Sequence, residues 1–158
     1  MMSNDLESQL VDQPIKAFVS YSQKDEKYLT EFSAHMRPLL RLKQVVVWDD
    51  RAIDVGDEWE ECIYRELDEA DIVICLVSSD FIASDFCYEK ELDRALDAHR
   101  KGQKVVVPVL LRSCFWKELP LSKLGWTPRQ WITSHENRDE AWTEVVTKLR
   151  KIILDIKK

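Results

Sequence analysis

A chain of 158 residues with 45% apolar and 33% charged residues is one domain by length, large enough to bury a core unaided and not of disordered composition. Its net charge of −6 is uneven, with 8 Lys/Arg against 18 Asp/Glu in residues 1–80 and 15 against 11 in residues 81–158. An acidic first half excludes a nucleic-acid surface there, and the basic residues of the second half lack the aromatic-studded groove such a site needs.

No stretch approaches the 18 or so apolar residues of a membrane span, and the polar opening MMSNDLESQLVD has no basic leader or apolar signal core. These features predict a cytoplasmic protein, with residues 1–13 as a flexible segment and 14–158 as the folded domain. Cys62, Cys75, Cys87 and Cys114 show no close pairing, and Cys62 and Cys75 fall on apolar faces, where free cysteine serves as a small hydrophobe. His35, His99 and His135 lie far apart with no cysteine or histidine at ligand spacing, so no metal is expected.

Ile15 to Tyr21 is an apolar run of strand length that stops at Ser22, Gln23, Lys24 and Asp25. Asp25 stands where an N-cap belongs, its side chain placed to accept an orphan amide of the next helix. That helix carries Tyr28, Leu29, Phe32, Met36 and Leu39 at helical spacing, and Pro38 is expected to kink or shorten it. Val45 to Trp48 forms the second strand. The polar run Asp49 to Asp57 after it includes Gly56, the residue a tight turn uses. A second helix should open at Gly56 or Asp57, with acids at 57, 58, 60 and 61 facing the positive end of its dipole. Trp59, Cys62, Ile63, Leu67 and Ala70 make its apolar stripe.

Ile72 to Val77 is six apolar residues in a row, the pattern of a strand buried on both faces, and Ser78, Ser79 and Asp80 end it. A helix over about Phe86 to Lys101 turns Leu92, Ala95, Leu96 and His99 toward the core, and Gly102 supplies a left-handed C-cap. Lys104 to Leu111 is the fourth strand, placed near an edge by Pro108. Residues 112–135, with Trp116, Trp126 and Trp131, form either a packed lid or a short extra strand and turn. From Asn137 a closing helix sets Trp142, Val145, Val146, Leu149, Ile152, Ile153 and Ile156 on one stripe. The alternation predicts a parallel sheet of four to five strands with helices on both faces.

Ligands of such sheets sit outside the carboxyl ends of the strands. The chain has no Gly-x-Gly-x-x-Gly, no Walker loop and no Ser/His/Asp order, and its three glycines are too few for phosphate-cradling loops. The strand ends offer Ser22, Gln23, Asp54, Ser78 and Glu91, with Tyr21, Trp59 and Phe86 near them. Each, read alone, is a surface polar group or a core aromatic. Glu91 is the odd one, an acid bordering the buried stripe of its helix.

In order along the chain, FVSYSQKD, then WDDRAIDVGDEWEECIYRELDEADIVICLVSSDFIASDF, then NRDEAW resemble the successive motifs of a Toll/interleukin-1 receptor (TIR) domain of the bacterial type, over about residues 15–155. The resemblance implies a flavodoxin-like α/β fold and, for catalytic members, cleavage of NAD+ between ribose and nicotinamide. Their glutamate is matched by Glu91 in CYEKEL, with Cys87 where many relatives have tryptophan and Glu89 as the neighbouring acid. Tyr21, Ser22, Gln23, Asp54, Trp59, Ser78 and Cys87 would then line the NAD+ site, Trp59 as an aromatic wall or as core under the loop. NAD+ would be substrate, and no cofactor is implied. The segment Asp49, Asp50, Arg51, Ala52, Ile53, Asp54, Val55, Gly56, Asp57 matches the BB loop, through which relatives self-associate, in some cases as filaments. The implied alternative is a non-catalytic TIR–TIR adaptor. A receiver-like domain fits less well, because the Asp49–Asp50 pair has no lysine at the end of the fourth strand.

Overall fold

The computed structural model describes residues 13–158, so the flexible segment expected over residues 1–13 lies outside the described residues except for its last. Four strands, β1 (Ile15–Ser20), β2 (Val45–Trp48), β3 (Ile72–Val77) and β4 (Val105–Leu110), form one parallel sheet in the order β2-β1-β3-β4. Helices α1 (Glu26–Arg41) and α5 (Arg138–Lys157) cover one face, while α2 (Trp59–Glu69) and α4 (Leu92–Arg100) cover the other. Between β3 and α4 come the short α3 (Ser79–Ala83) and a π-helical turn, Asp85–Glu91. The result is a flavodoxin-like α/β fold.

Alternation along the strands divides the core in two. Ala17, Val19, Ile72, Ile74, Val107 and Val109 point to α1 and α5, whereas Phe18, Val73, Cys75, Val77 and Val106 point to α2 and α4. The central strand β3 is buried at every position, as its unbroken apolar run requires. Pro108 lies on the edge strand β4, where its missing N–H breaks no ladder bond: its carbonyl accepts from Thr127 N–H, and Leu110 N–H donates to the Thr127 carbonyl. Of the two alternatives for residues 112–135, the extra strand amounts to a single bridge, Val109 to Thr127, and the rest packs by its aromatic side chains and two 3₁₀ turns.

Local details depart from expectation for identifiable reasons. Pro38 does not end α1: it lies three residues before Arg41, and Leu42 N–H still donates to the Pro38 carbonyl at 3.0 Å. Helix α2 opens later than the glycine, at Trp59, because Asp57 N–H closes a turn on the Asp54 carbonyl, with Gly56 at φ +96° between them. Asp25 precedes α1, but its carboxylate caps nothing there. It is 1% exposed and is taken by Ser78 and Arg112 instead.

Candidate functional site

The carboxyl ends of β1 and β3 open beside the π-helical turn, and the turn's geometry decides which acid enters the sheet. Ser84 starts it by accepting the Cys87 amide, and Leu92 N–H then donates to the Cys87 carbonyl, five residues back instead of four. The extra residue in this turn swings Cys87 and Glu91 inward while Glu89 remains exposed. Glu91 is 5% exposed and accepts a 2.6 Å hydrogen bond from Ser20 Oγ, at the last position of β1. Ser20 shares the face of Phe18, two residues earlier, so strand alternation aims it at the side of the sheet on which Glu91 lies.

A cavity of about 190 Å³ abuts Glu91. Its walls include Tyr21, Ser22, Gln23, Asp50, Trp59, Phe86, Cys87 and Glu91. Trp59 and Phe86 meet at 4.6 Å between ring centroids to form one continuous aromatic wall. On the opposite rim Tyr21 Oη donates to Asp50 Oδ1 at 2.6 Å and Gln23 Nε2 to Asp50 Oδ2 at 3.1 Å, which pins the start of the 49–57 loop to the end of β1. A larger opening of about 360 Å³ lies among Trp116, Trp126 and Trp131, but no acid lines it, so volume does not select the site.

Burial sets the protonation of the cavity groups. Glu91 is pushed up to about 7 by desolvation, with the Ser20 hydrogen bond opposing and the charge of Asp50 adding to the rise. A carboxyl at that value exchanges its proton near neutrality, as groups poised for charge chemistry do. Burial also raises Cys87, to about 11, and its thiol donates to the Tyr21 carbonyl at 3.2 Å. That thiol is a neutral wall, not a nucleophile. Tyr21 is raised as well, first by desolvation and then by its bond to Asp50, and stays a phenol.

Of the residues expected to surround a ligand, the structure brings together Tyr21, Ser22, Gln23, Trp59, Cys87 and Glu91. Trp59 is 43% exposed, so it is wall and not the buried stripe residue its spacing suggested. Asp54 is exposed in the loop, where its amide meets Asp57, and does not line the cavity. Ser78 is fully buried elsewhere: its hydroxyl donates to Asp25, whose carboxylate is also held by Arg112, and Arg112 reaches on to Asp80. This cluster ties together the ends of β1, β3 and β4. Sequence reasoning missed Ser20 and assigned Asp50 only to the loop. The strand alternation held the signal for Ser20. For Asp50 the signal was its place at the end of β2, next to β1.

The sequence profile of the TIR domain matches residues 17–149. The chain belongs to the TIR-domain family. An uncharacterized protein of Sinorhizobium fredii is 37% identical to this TIR domain over 136 residues, which are 85% of this chain and 42% of that protein, so the chain spans less than half of its relative's length. Among solved structures, the TIR domain of the Toll-related receptor TRR-2 from Hydra magnipapillata superposes with a TM-score of 0.61 at 19% identity, covering 85% of this chain and 97% of that one. The TIR domains of the activated Roq1 resistosome, which directly recognises the pathogen effector XopQ, give 0.51 at 19% identity, over 87% and 84%. The RPS4–RRS1 TIR heterodimer gives 0.51 at 14% identity, over 87% and 96%. These structures share the fold.

Proposed function

We propose that this TIR domain is an NAD+ glycohydrolase that cleaves the bond between nicotinamide and ribose, with Glu91 as its catalytic carboxylate. The observation that carries the reading is a buried acid, held by Ser20 and set against a cavity with an aromatic wall. Nicotinamide in NAD+ is already a cationic leaving group, so departure needs no general acid. The barrier lies in the positive charge that grows on the ribosyl carbon. A carboxylate beside that carbon stabilises the charge where it forms, as one acid of a glycosidase does. Glu91 must be ionised to act, and Ser20 favours that form by donating to it. Trp59 and Phe86 hold the flat ring, and Cys87 closes the floor without competing as a base. Water captures the ribosyl carbon to give ADP-ribose; capture by the adenine within the same molecule gives a cyclic product.

Self-association belongs to the same proposal. The loop from Asp49 to Asp57 stands at the cavity mouth and carries a fully exposed apolar residue, Val55. A head-to-tail contact through it would extend into filaments instead of closing as a dimer. The RPS4–RRS1 pair and the Roq1 resistosome are described as assemblies, the latter recognising a pathogen effector. A role in bacterial immune signalling or NAD+ depletion is part of the same proposal. The same loop also favours a second reading, a non-catalytic TIR–TIR adaptor.

Release of nicotinamide from NAD+ by concentrated protein separates the two. The enzyme reading expects turnover that Glu91→Gln abolishes and that Glu89→Gln, altering an exposed acid, retains. Parental turnover in Glu91→Gln refutes the assignment, and no turnover at any protein concentration favours the adaptor.

A further inference from the structure

The cavity beside Glu91 is acidic as well as small. Asp50 and Glu91 both line it, and among the described residues no lysine or arginine does. Neighbouring cations stand outside its lining. Arg51 folds back on Asp49 and reaches Thr30 and Ser33. Lys24 lies 3.7 Å from Asp80, and Lys90 lies 3.8 Å from Glu60 with its Nζ 5.8 Å from the Phe86 ring centroid, both on exposed side chains. Nor does any of Gly56, Gly102 and Gly125 line the cavity, so no glycine nest is offered to an anion there.

Phosphate sites are built from guanidinium forks, ammonium groups, helix N-termini or such nests. This cavity presents the opposite charge. Its volume of about 190 Å³ also falls below the roughly 300 to 1,000 Å³ of pockets that enclose a drug-sized ligand. A dinucleotide is therefore not enclosed whole within one chain, and its two phosphates meet no cation in these walls. What the walls select is a flat cation, attracted by ring faces and by two carboxylates.

We infer that the site recognises the pyridinium riboside half of its substrate alone, so that this TIR domain also cleaves nicotinamide riboside and nicotinamide mononucleotide, which lack the adenosine diphosphate half or its adenylyl part. The inference rests on the NAD+ reading above. In each case the bond from C1′ to the ring nitrogen breaks, and its electron pair leaves with the ring as neutral nicotinamide. Water supplies oxygen to C1′ and releases one proton to solvent.

The test compares kcat/KM for NAD+, nicotinamide mononucleotide and nicotinamide riboside on the same preparation, with Glu91→Gln as control. Values for the two smaller substrates within tenfold of NAD+, all lost in the control, are expected. A loss beyond tenfold while NAD+ is still cleaved overturns the inference and leaves the NAD+ reading standing. Silence with all three overturns both. A binding measurement reads recognition independently of turnover: 1-methylnicotinamide, a cation, should quench tryptophan fluorescence, and Trp59→Phe should remove most of that quench. Neutral nicotinamide should bind at least tenfold more weakly, and ADP should not displace the cation. Displacement by ADP at comparable concentration, or equal binding of neutral nicotinamide, would show that the cavity does not select the riboside half.

Discussion

Glu91→Gln should make the domain more stable, by an amount that grows as pH rises above about 4.5. In the folded chain the Glu91 carboxyl is pushed up to about 7 by burial, against an ordinary value of 4.5. Below pH 4.5 the group is neutral in both folded and unfolded chains, and its ionisation makes no difference. As pH rises from there toward 7, the unfolded chain gives up the proton more readily than the folded one, so stability falls, and the loss levels off once both forms are ionised. A gap of about 2.5 pH units at roughly 1.4 kcal/mol per unit puts the full penalty at about 3.5 kcal/mol. Glutamine keeps the shape and can still accept from Ser20 Oγ, but it carries no charge to desolvate. Urea unfolding at pH 8.5 should therefore show the variant more stable by about 3.5 kcal/mol, roughly 7 to 14 °C in Tm for a domain of this size, with the advantage gone by pH 4. A variant no more stable at pH 8.5, or equally favoured at both pH values, would refute the picture of a carboxylate held in the site at the expense of stability.

Ser20→Ala removes a charge-assisted bond of about 1.5 to 3 kcal/mol, so the rising limb of kcat/KM against pH, expected near pH 7 in the parent, should move up by roughly 1 to 2 pH units; an unmoved limb would separate Ser20 from the titrating group. Trp59→Ala should raise KM and, with 43% of the residue already exposed, lower stability by about 2 kcal/mol at most, less than the roughly 3 to 5 kcal/mol of a buried tryptophan. Asp54→Ala, in an exposed loop, should leave Tm within about 1 °C of the parent in the same melt. Arg112→Ala leaves the buried Asp25 carboxylate without its cation and should cost about 3 kcal/mol in urea unfolding; an unchanged midpoint would make that cluster ornamental. Val55→Asp should leave Tm unchanged but weaken self-association, seen as smaller species in sedimentation and, if assembly through the loop supports turnover, as specific activity that no longer rises with protein concentration.

The fold was legible because period and position agreed. Six apolar residues from Ile72 to Val77 allow a central strand and little else, and Pro108 belongs on an edge for want of one N–H. Asp25 shows where local rules stop. A polar residue before a helix reads as a cap from its neighbours alone, yet its actual partners, Ser78 and Arg112, are 53 and 87 residues away. No window of sequence contains that pairing, and a buried carboxylate with two partners outweighs one amide at a helix end.

The site was half legible for a related reason. Glu91 could be singled out because an acid beside a buried stripe is costly and calls for a cause, but what turns it inward is a π-helical turn, and helical spacing carries no mark of an inserted residue. Regular spacing from Phe86 onward describes one helix, whereas the backbone there runs as a wide turn to Glu91 and only then as α4. The wide turn matters more than the identity of any single wall residue. It leaves Glu89 in water and places Glu91 against Ser20, so a carboxyl two positions away in sequence has a different environment and different chemistry. A substitution that returns Asp85–Glu91 to α-helical winding should therefore abolish activity with every cavity residue still present. Deleting Asp85, the exposed first residue of the turn, is the direct form of that experiment, and the reasoning expects Glu91 to lose its raised titration near pH 7 along with its turnover. Retained activity with the shortened turn, read beside a circular dichroism spectrum showing an intact fold, would mean that the carboxylate is positioned by Ser20 and the sheet alone.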